Sequence, residues 1–171
     1  MNSVATSFVF SEQVLERAMK VIKRYPSGKH KSALLPLLHL AQENNDGWLS
    51  VPAMDYVAGL LNIQPIEVYE VATFYTMFNL KPVGKYVLEV CRTGPCCLMG
   101  TESLIEHLKL KLGINFGETT RDGMFTLKAV ECLASCGSGP VIQIGKKYYE
   151  NLSKEKADLL LENLRNTSNH N

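Results

Sequence analysis

The chain has 171 residues, of which 46% are hydrophobic and 20% charged, and a formal net charge of +1; this balance excludes disordered and fibrous classes and predicts a substantial buried core. A whole-chain charge so near zero argues against nucleic acid as a partner. No apolar run approaches the length of a bilayer span, and the opening MNSVATSFVFSEQ lacks a basic segment, a long apolar segment and an Arg-rich amphipathic one, so a soluble, unexported chain is expected.

Residues 1–10 carry no periodicity and are expected to stay unordered. From Ser11, a residue type that caps helices, Val14, Leu15, Ala18, Val21 or Ile22 and Tyr25 recur at helical spacing until Pro26-Ser27-Gly28 stops them. A second helix is predicted from about Ser32 to Asn44, dense in leucine, with Pro36 near its first turns, where a missing N–H costs least. Ser50 and Pro52 start a third, with Met54, Val57, Ala58 and Leu61 on one face, reaching about Asn62. A fourth begins at Gln64-Pro65 and carries Ile66, Val68, Tyr69, Val71, Ala72, Tyr75 and Met77. Residues 1–82 therefore read as a helical domain of about four helices without evident chemistry.

After Lys81-Pro82-Val83-Gly84 the period changes to that of a strand, Tyr86-Val87-Leu88-Glu89-Val90, which delivers Cys91 at its end. Leu104, Ile105, Leu108 and Leu112 define an amphipathic helix closed by Gly113, and Phe125 to Val130 is a strand that delivers Cys132 just past its end. Val141–Ile144 and Lys147–Tyr149 flank Gly145-Lys146 as a hairpin; Ser153 caps a last helix on Ala157, Leu160, Leu161 and Leu164, and the tail TSNHN is expected to fray. Residues 83–166 thus form a second domain and 167–171 a polar tail. With a parallel crossover between its first two strands, the second domain is a small α/β layer that resembles the thioredoxin fold. A right-handed crossover brings the ends of two parallel strands to one sheet edge, where both cysteine groups then lie.

All five cysteines fall in two groups, Cys91-Arg-Thr-Gly-Pro-Cys96-Cys97 and Cys132-Leu-Ala-Ser-Cys136. An odd count in an unexported chain speaks against a disulfide framework and for metal binding or redox catalysis. Four thiolates satisfy a [2Fe–2S] cluster with no further ligand. A four-cysteine zinc site fits the same spacings. A thioredoxin-like dithiol enzyme fits less well, because no Cys-x-x-Cys opens a helix. Gly94, Gly137 and Gly139 let backbone approach the thiols, while Pro95 and Pro140 stiffen the loops. The histidines, at positions 30, 39, 107 and 170, lie outside the cysteine loops, so Rieske-type ligation is not expected. Trp48 and the group Phe74, Tyr75, Met77 and Phe78 read as core or as a subunit interface.

Here the pattern becomes specific. The two cysteine spacings, set among VATFYTMFNLKPVGKY, LMGTESLIEHLKLKLGI, GETTRDGMFTLKAVECLASCG and YYENLSKEKADLLLENL, resemble the 24-kilodalton-type subunit of respiratory NADH:quinone oxidoreductase, over roughly residues 11–165. Similar subunits occur in NAD-linked hydrogenases and formate dehydrogenases. The resemblance implies an α+β chain: an N-terminal bundle of about four helices followed by a thioredoxin-like [2Fe–2S] ferredoxin domain. It implies that Cys91, Cys96, Cys132 and Cys136 ligate one [2Fe–2S] cluster, with Cys97 a bystander. The cluster would exchange single electrons with the flavin of a 51-kilodalton-type partner that binds FMN and NADH. Further peripheral-arm subunits would join it, placing the chain in the cytoplasm at the inner face of the cell membrane without spanning it. This chain shows no G-x-G-x-x-G after a strand and no G-x-x-x-x-G-K-[ST], in keeping with a partner that holds the nucleotide.

Overall fold

A computed structural model describes residues 8–168. The chain divides into two compact units at Pro82/Val83. The first is built from α1 (Glu12–Ile22), a 3₁₀ turn (His30–Ala33), α2 (Leu34–Glu43), α3 (Val51–Leu61) and α4 (Pro65–Phe74). The helix starts follow local chemistry. Ser50 Oγ accepts from the Ala53 N–H at 3.3 Å, Glu67 Oε2 accepts from the Gln64 N–H at 2.9 Å, and Pro52 and Pro65 occupy first-turn positions. The apolar stripes then meet in one core made of Val14, Ala18 and Ile22 from α1, Leu34, Leu37, Leu38 and Ala41 from α2, Met54, Val57, Ala58 and Leu61 from α3, and Val68 and Ala72 from α4. Each fully buried leucine or valine there contributes about 1.5–3 kcal/mol relative to an exposed one.

Three features of this unit differ from expectation. Phe10 is not unordered: only 6% of its surface is exposed, and its ring packs edge-on against Phe8 and Tyr56 at centroid distances of 5.5 and 5.1 Å. Two aromatic rings gain more by covering the bundle than the short segment loses by ordering. Residues 1–7 lie outside the described residues. The first helix stops at Ile22, since Arg24 and Tyr25 donate to Val21 and Ile22 carbonyls three residues back, which winds the chain into a tighter turn. The fourth stops at Phe74, where Tyr75 takes an extended backbone, φ −87° and ψ 115°.

The second unit runs β1 (Tyr86–Cys91), α5 (Gly94–Leu98), α6 (Thr101–Leu112), β2 (Phe125–Val130), a 3₁₀ turn (Cys136–Ser138), β3 (Ile142–Ile144), β4 (Lys147–Tyr149) and α7 (Lys154–Ser168). The strand order is β2-β1-β3-β4. β1 pairs parallel with β2 from Tyr86↔Phe125 to Cys91↔Val130, and β3 is antiparallel to both β1 and β4. Leu88, Val90, Phe125, Leu127 and Ile142 from the sheet pack with Leu104, Ile105 and Leu108 of α6 and Ala157 and Leu161 of α7. Gly84 starts this unit where only glycine fits. A Cβ there would sit 3.0 Å from backbone atoms of Gly123, Met124 and Phe125, while the Gly84 N–H donates to Thr126 Oγ1 at 2.7 Å.

The short helix α5 was not foreseen, and α7 runs on over Thr167 and Ser168, where the polar tail was expected to fray. Thr167 Oγ1 donates to the Asn163 carbonyl at 2.8 Å inside the helix. Residues 169–171 lie outside the described residues. The architecture is α+β, seven α-helices and a four-stranded sheet among the described residues. None of these helices is long and apolar enough to cross a membrane.

Candidate metal centre

Because β1 and β2 are parallel and Cys91 faces Val130 in register, both cysteine loops leave the sheet at the same end. The Arg92 N–H donates to the Val130 carbonyl at 3.2 Å and holds the two exits together. The chain then turns into α5, which starts at Gly94-Pro95 and brings Cys96 inward. Cys91 and Cys96 are each only 2% exposed and pack with Val141 and, partly, Leu133. Cys132 and Cys136, on the second loop, are exposed. Gly139 lies against the first loop so closely that a Cβ would come 3.4 Å from both Cys96 Cα and Cys96 Sγ.

The thiols sense one another. Burial pushes Cys91 up, but the Thr93 hydroxyl, backbone N–H groups of Thr93 and Leu133, and the Cys96 thiol outweigh it and hold Cys91 below the ordinary thiol value. Its sulfur lies 3.4 Å from Thr93 Oγ1. Burial, the adjacent Cys91 and charge on Cys91 and Cys136 push Cys96 up to about 11. Cys136 is raised by its hydrogen bond and charge interaction with Cys132, then by burial and by Cys91. Cys132 Sγ in turn accepts from the Ala134 N–H at 3.3 Å. Cys91, Cys96, Cys132 and Cys136 therefore form one electrostatic group, composed of a buried pair and an exposed pair.

Gathered as thiolates these four groups would repel each other, and the repulsion is relieved either by protonation, toward which Cys96 and Cys136 are pushed, or by a compact positive centre. The donor set is all sulfur, backbone N–H groups of Leu133, Ala134 and Val141 point at it, and Gly139 leaves it room. These residues fit an iron–sulfur cluster, whose sulfurs take backbone hydrogen bonds. Among the described residues no three Cys, His, Asp or Glu side chains gather round a single ion position.

Cys97 is placed differently. Its thiol donates to the Arg92 carbonyl at 3.4 Å and to Glu102 Oε1 at 3.8 Å, beside an Arg92–Glu102 ion pair of 3.7 Å. His107 stands apart from the thiols as well, paired with Asp158 at 2.9 Å. Phe74, by contrast, is 76% exposed, although Phe78 of the same aromatic group is buried. Sequence reasoning missed the supports of the site. Thr93 could have been suspected, two residues beyond Cys91 on the same loop. Glu150, which accepts hydrogen bonds from Ser135 and Ser138 on either side of Cys136, carries no sequence signal, because the contact spans a hairpin.

Comparison with known proteins concerns the chain as a whole. Residues 18–165 match the model of the thioredoxin-like [2Fe-2S] ferredoxin family. The chain belongs to this family. A Rickettsia conorii protein named as a subunit of NADH-quinone oxidoreductase is 49% identical over 166 residues, covering 97% of this chain and 99% of that one; its Rickettsia bellii counterpart gives the same figures. NADH dehydrogenase [ubiquinone] flavoprotein 2, mitochondrial, of Dictyostelium discoideum is 44% identical over 165 residues, 96% of this chain and 67% of its own. Among solved structures, an air-oxidized NAD+-reducing [NiFe]-hydrogenase superposes with a TM-score of 0.69 at 22% identity, over 79% of this chain. The matched region is 23% of that hydrogenase chain, and the likeness establishes the thioredoxin-like fold.

Proposed function

We propose that the chain is the electron-transfer subunit of an NADH-quinone oxidoreductase, carrying one [2Fe–2S] cluster on Cys91, Cys96, Cys132 and Cys136. The cluster, when bound, supplies one-electron redox chemistry. The observation that carries the reading is the convergence of two cysteine groups, distant in sequence, into one electrostatic set at one end of a parallel strand pair. The 49% identity, over nearly the full length, to the rickettsial NADH-quinone oxidoreductase subunits supports the assembly. In it, the electron partner is the flavin of a 51-kilodalton-type subunit that binds FMN and NADH, and the chain sits at the inner face of the membrane through its neighbours.

The residues divide the work. Cys91 and Cys96, packed with Val141 and Leu133, would supply two ligands that are themselves shielded from water. Cys132 and Cys136 would supply the two solvent-exposed ligands, the side from which an electron partner could approach. Backbone N–H groups at Leu133 and Val141 offset thiolate charge without adding any. Leu98 on α5 is 90% exposed and Met99 follows it, an apolar rim beside the site that suits a protein partner.

Iron, acid-labile sulfide and zinc are to be measured in anaerobically purified protein, with EPR before and after reduction. About two irons and two sulfides per chain, and an EPR signal only after reduction, are expected. Stoichiometric zinc would identify a structural metal site instead, and a metal-free chain with a reversible disulfide would identify a dithiol enzyme. Co-purification with a quinone-reducing membrane arm supports this assembly, whereas co-purification with a hydrogenase or formate dehydrogenase subunit would replace it.

A further inference from the structure

The second cysteine loop is poorly supported by its own backbone. Beyond β2 it contains one 3₁₀ turn, Cys136–Ser138, and a left-handed Ala134 at φ 59°, and its internal backbone bonds are few: the Ala134 N–H donates to Cys132 Sγ at 3.3 Å and the Ser138 N–H to the Ser135 carbonyl at 3.1 Å. What holds it comes from outside, from the segment after β4. The Asn151 N–H donates to the Ser138 carbonyl at 2.7 Å, and the Leu152 N–H to the Pro140 carbonyl at 3.2 Å. Glu150 completes this brace with a side chain. One carboxylate oxygen, Oε1, accepts from Ser138 Oγ at 2.6 Å and also from Ser135 Oγ, and the two hydroxyls lie 2.7 Å apart. Cys136 sits between the two serines, so their joint fixation fixes the thiol.

We propose that Glu150 is the positioning residue for the loop that carries Cys136, and that its charge, held by the hydroxyls of Ser135 and Ser138, lowers the reduction potential of the cluster. The inference rests on the reading that Cys132 and Cys136 are ligands. Other residues do not duplicate the role. The buried pair has its own supports in Thr93, Val141 and Gly139, whereas Glu150 is the carboxylate that touches both serines flanking Cys136. Hydrogen bonds from hydroxyls to a carboxylate are charge-assisted and strong for their class. The same two donors hold the Glu150 carboxyl below the usual carboxylate range, so it is ionised at neutral pH. A fixed negative charge near a redox centre disfavours the reduced form, which carries one more electron.

The test uses the full chain, purified anaerobically, as wild type, Glu150→Gln, Glu150→Ala and the double variant Ser135→Ala, Ser138→Ala. Iron and sulfide content, the EPR spectrum of the reduced protein, the midpoint potential and the rate of iron release to a chelator are read for each. Glu150→Gln keeps an oxygen acceptor and loses the charge, so it is expected to hold wild-type iron and release rate with a raised midpoint potential. Glu150→Ala loses both and is expected to raise the potential, broaden the EPR lines and release iron several-fold faster; the double serine variant also accelerates release. Wild-type potential in Glu150→Gln together with wild-type release in the alanine variants would reduce Glu150 to a surface carboxylate and overturn the proposal. Should Glu150→Ala fail to fold by circular dichroism, the Gln and double serine variants decide by the same readouts. A wild-type chain devoid of iron and sulfide is a different outcome, and refutes the cluster reading itself along with the role of Glu150.

Discussion

Cys96 and Cys97 are neighbours in sequence with opposite surroundings, and single-atom changes at each separate their roles. Cys96 is buried beside Cys91 and within reach of Cys136, whereas the Cys97 thiol is engaged with Arg92 and Glu102. Cys96→Ser is expected to abolish the visible absorption and reduced-state EPR signal, and Cys97→Ser to preserve both; the reverse pattern would reassign the ligand. Gly139 tests the room around Cys96. Its added Cβ would lie 3.4 Å from Cys96 Cα and Sγ, at the near limit of ordinary contact, so Gly139→Ala is expected to lower the iron content of the purified protein only modestly while far-UV circular dichroism stays native. Gly84 is the contrasting case, since its new Cβ would meet backbone at 3.0 Å, and backbone cannot rotate away. Gly84→Ala should cost about 1–3 kcal/mol in urea unfolding, and an unchanged midpoint would show that the strand entry can shift freely.

Helices α6 and α7 are joined at their rims by Asp158, which meets His107 Nε2 at 2.9 Å and Lys111 Nζ at 3.2 Å. The His107 hydrogen bond, aided by Lys111, holds the Asp158 carboxyl below the usual range. A carboxyl depressed in the folded state adds stability that is present above its unfolded value and lost as pH falls through the folded one. Asp158→Asn is therefore expected to flatten the acid side of the stability profile, and to cost only about 0.5–1 kcal/mol at neutral pH because the pair is a third exposed. An equal acid-side loss in both proteins would remove Asp158 from that dependence. At this scale the long elements were legible, and for a physical reason: β1, β2 and α6 bury faces whose period is written in Leu88 and Val90, Phe125 and Leu127, Leu104, Ile105 and Leu108. Helix α5 was not, since five residues make little more than one turn and show no period; Gly94-Pro95 was its sole signal. The ends of α1, α4 and α7 also shifted, because fraying and turn geometry depend on single hydrogen bonds such as Thr167 to Asn163. The cysteine groups could be read from spacing, but the burial of one pair and exposure of the other could not. That asymmetry comes from Val141, Leu133 and Gly139, which only the β3 edge and the second loop bring near.

Each unit has its own large core among the described residues, one around Leu37, Leu38 and Val57 and the other around Leu88, Phe125 and Leu127, with a small cluster of Cys91, Cys96 and Val141 beside the second. The thiols belong to the second unit, and the single tryptophan, Trp48, belongs to the first. This division makes the contribution of the metal centre measurable by region. A group that binds the folded chain and not the unfolded one stabilises what it binds by mass action, and cysteine-held metals couple directly to the folding of their loops. In the second unit, removal of iron leaves the thiols without the centre that ties their two loops together, with Cys96 and Cys136 pushed toward the neutral form and Cys91 held toward the charged one. Iron removal by a chelator under anaerobic conditions is therefore expected to lower the thermal midpoint followed by far-UV circular dichroism. Because the half-buried Trp48 lies in the first unit, whose core contains no thiol, the transition followed by its fluorescence should move much less. Equal shifts in the two signals would mean that the cores unfold as one cooperative body, and no shift in either would mean that the cluster adds nothing to the stability of the fold that holds it.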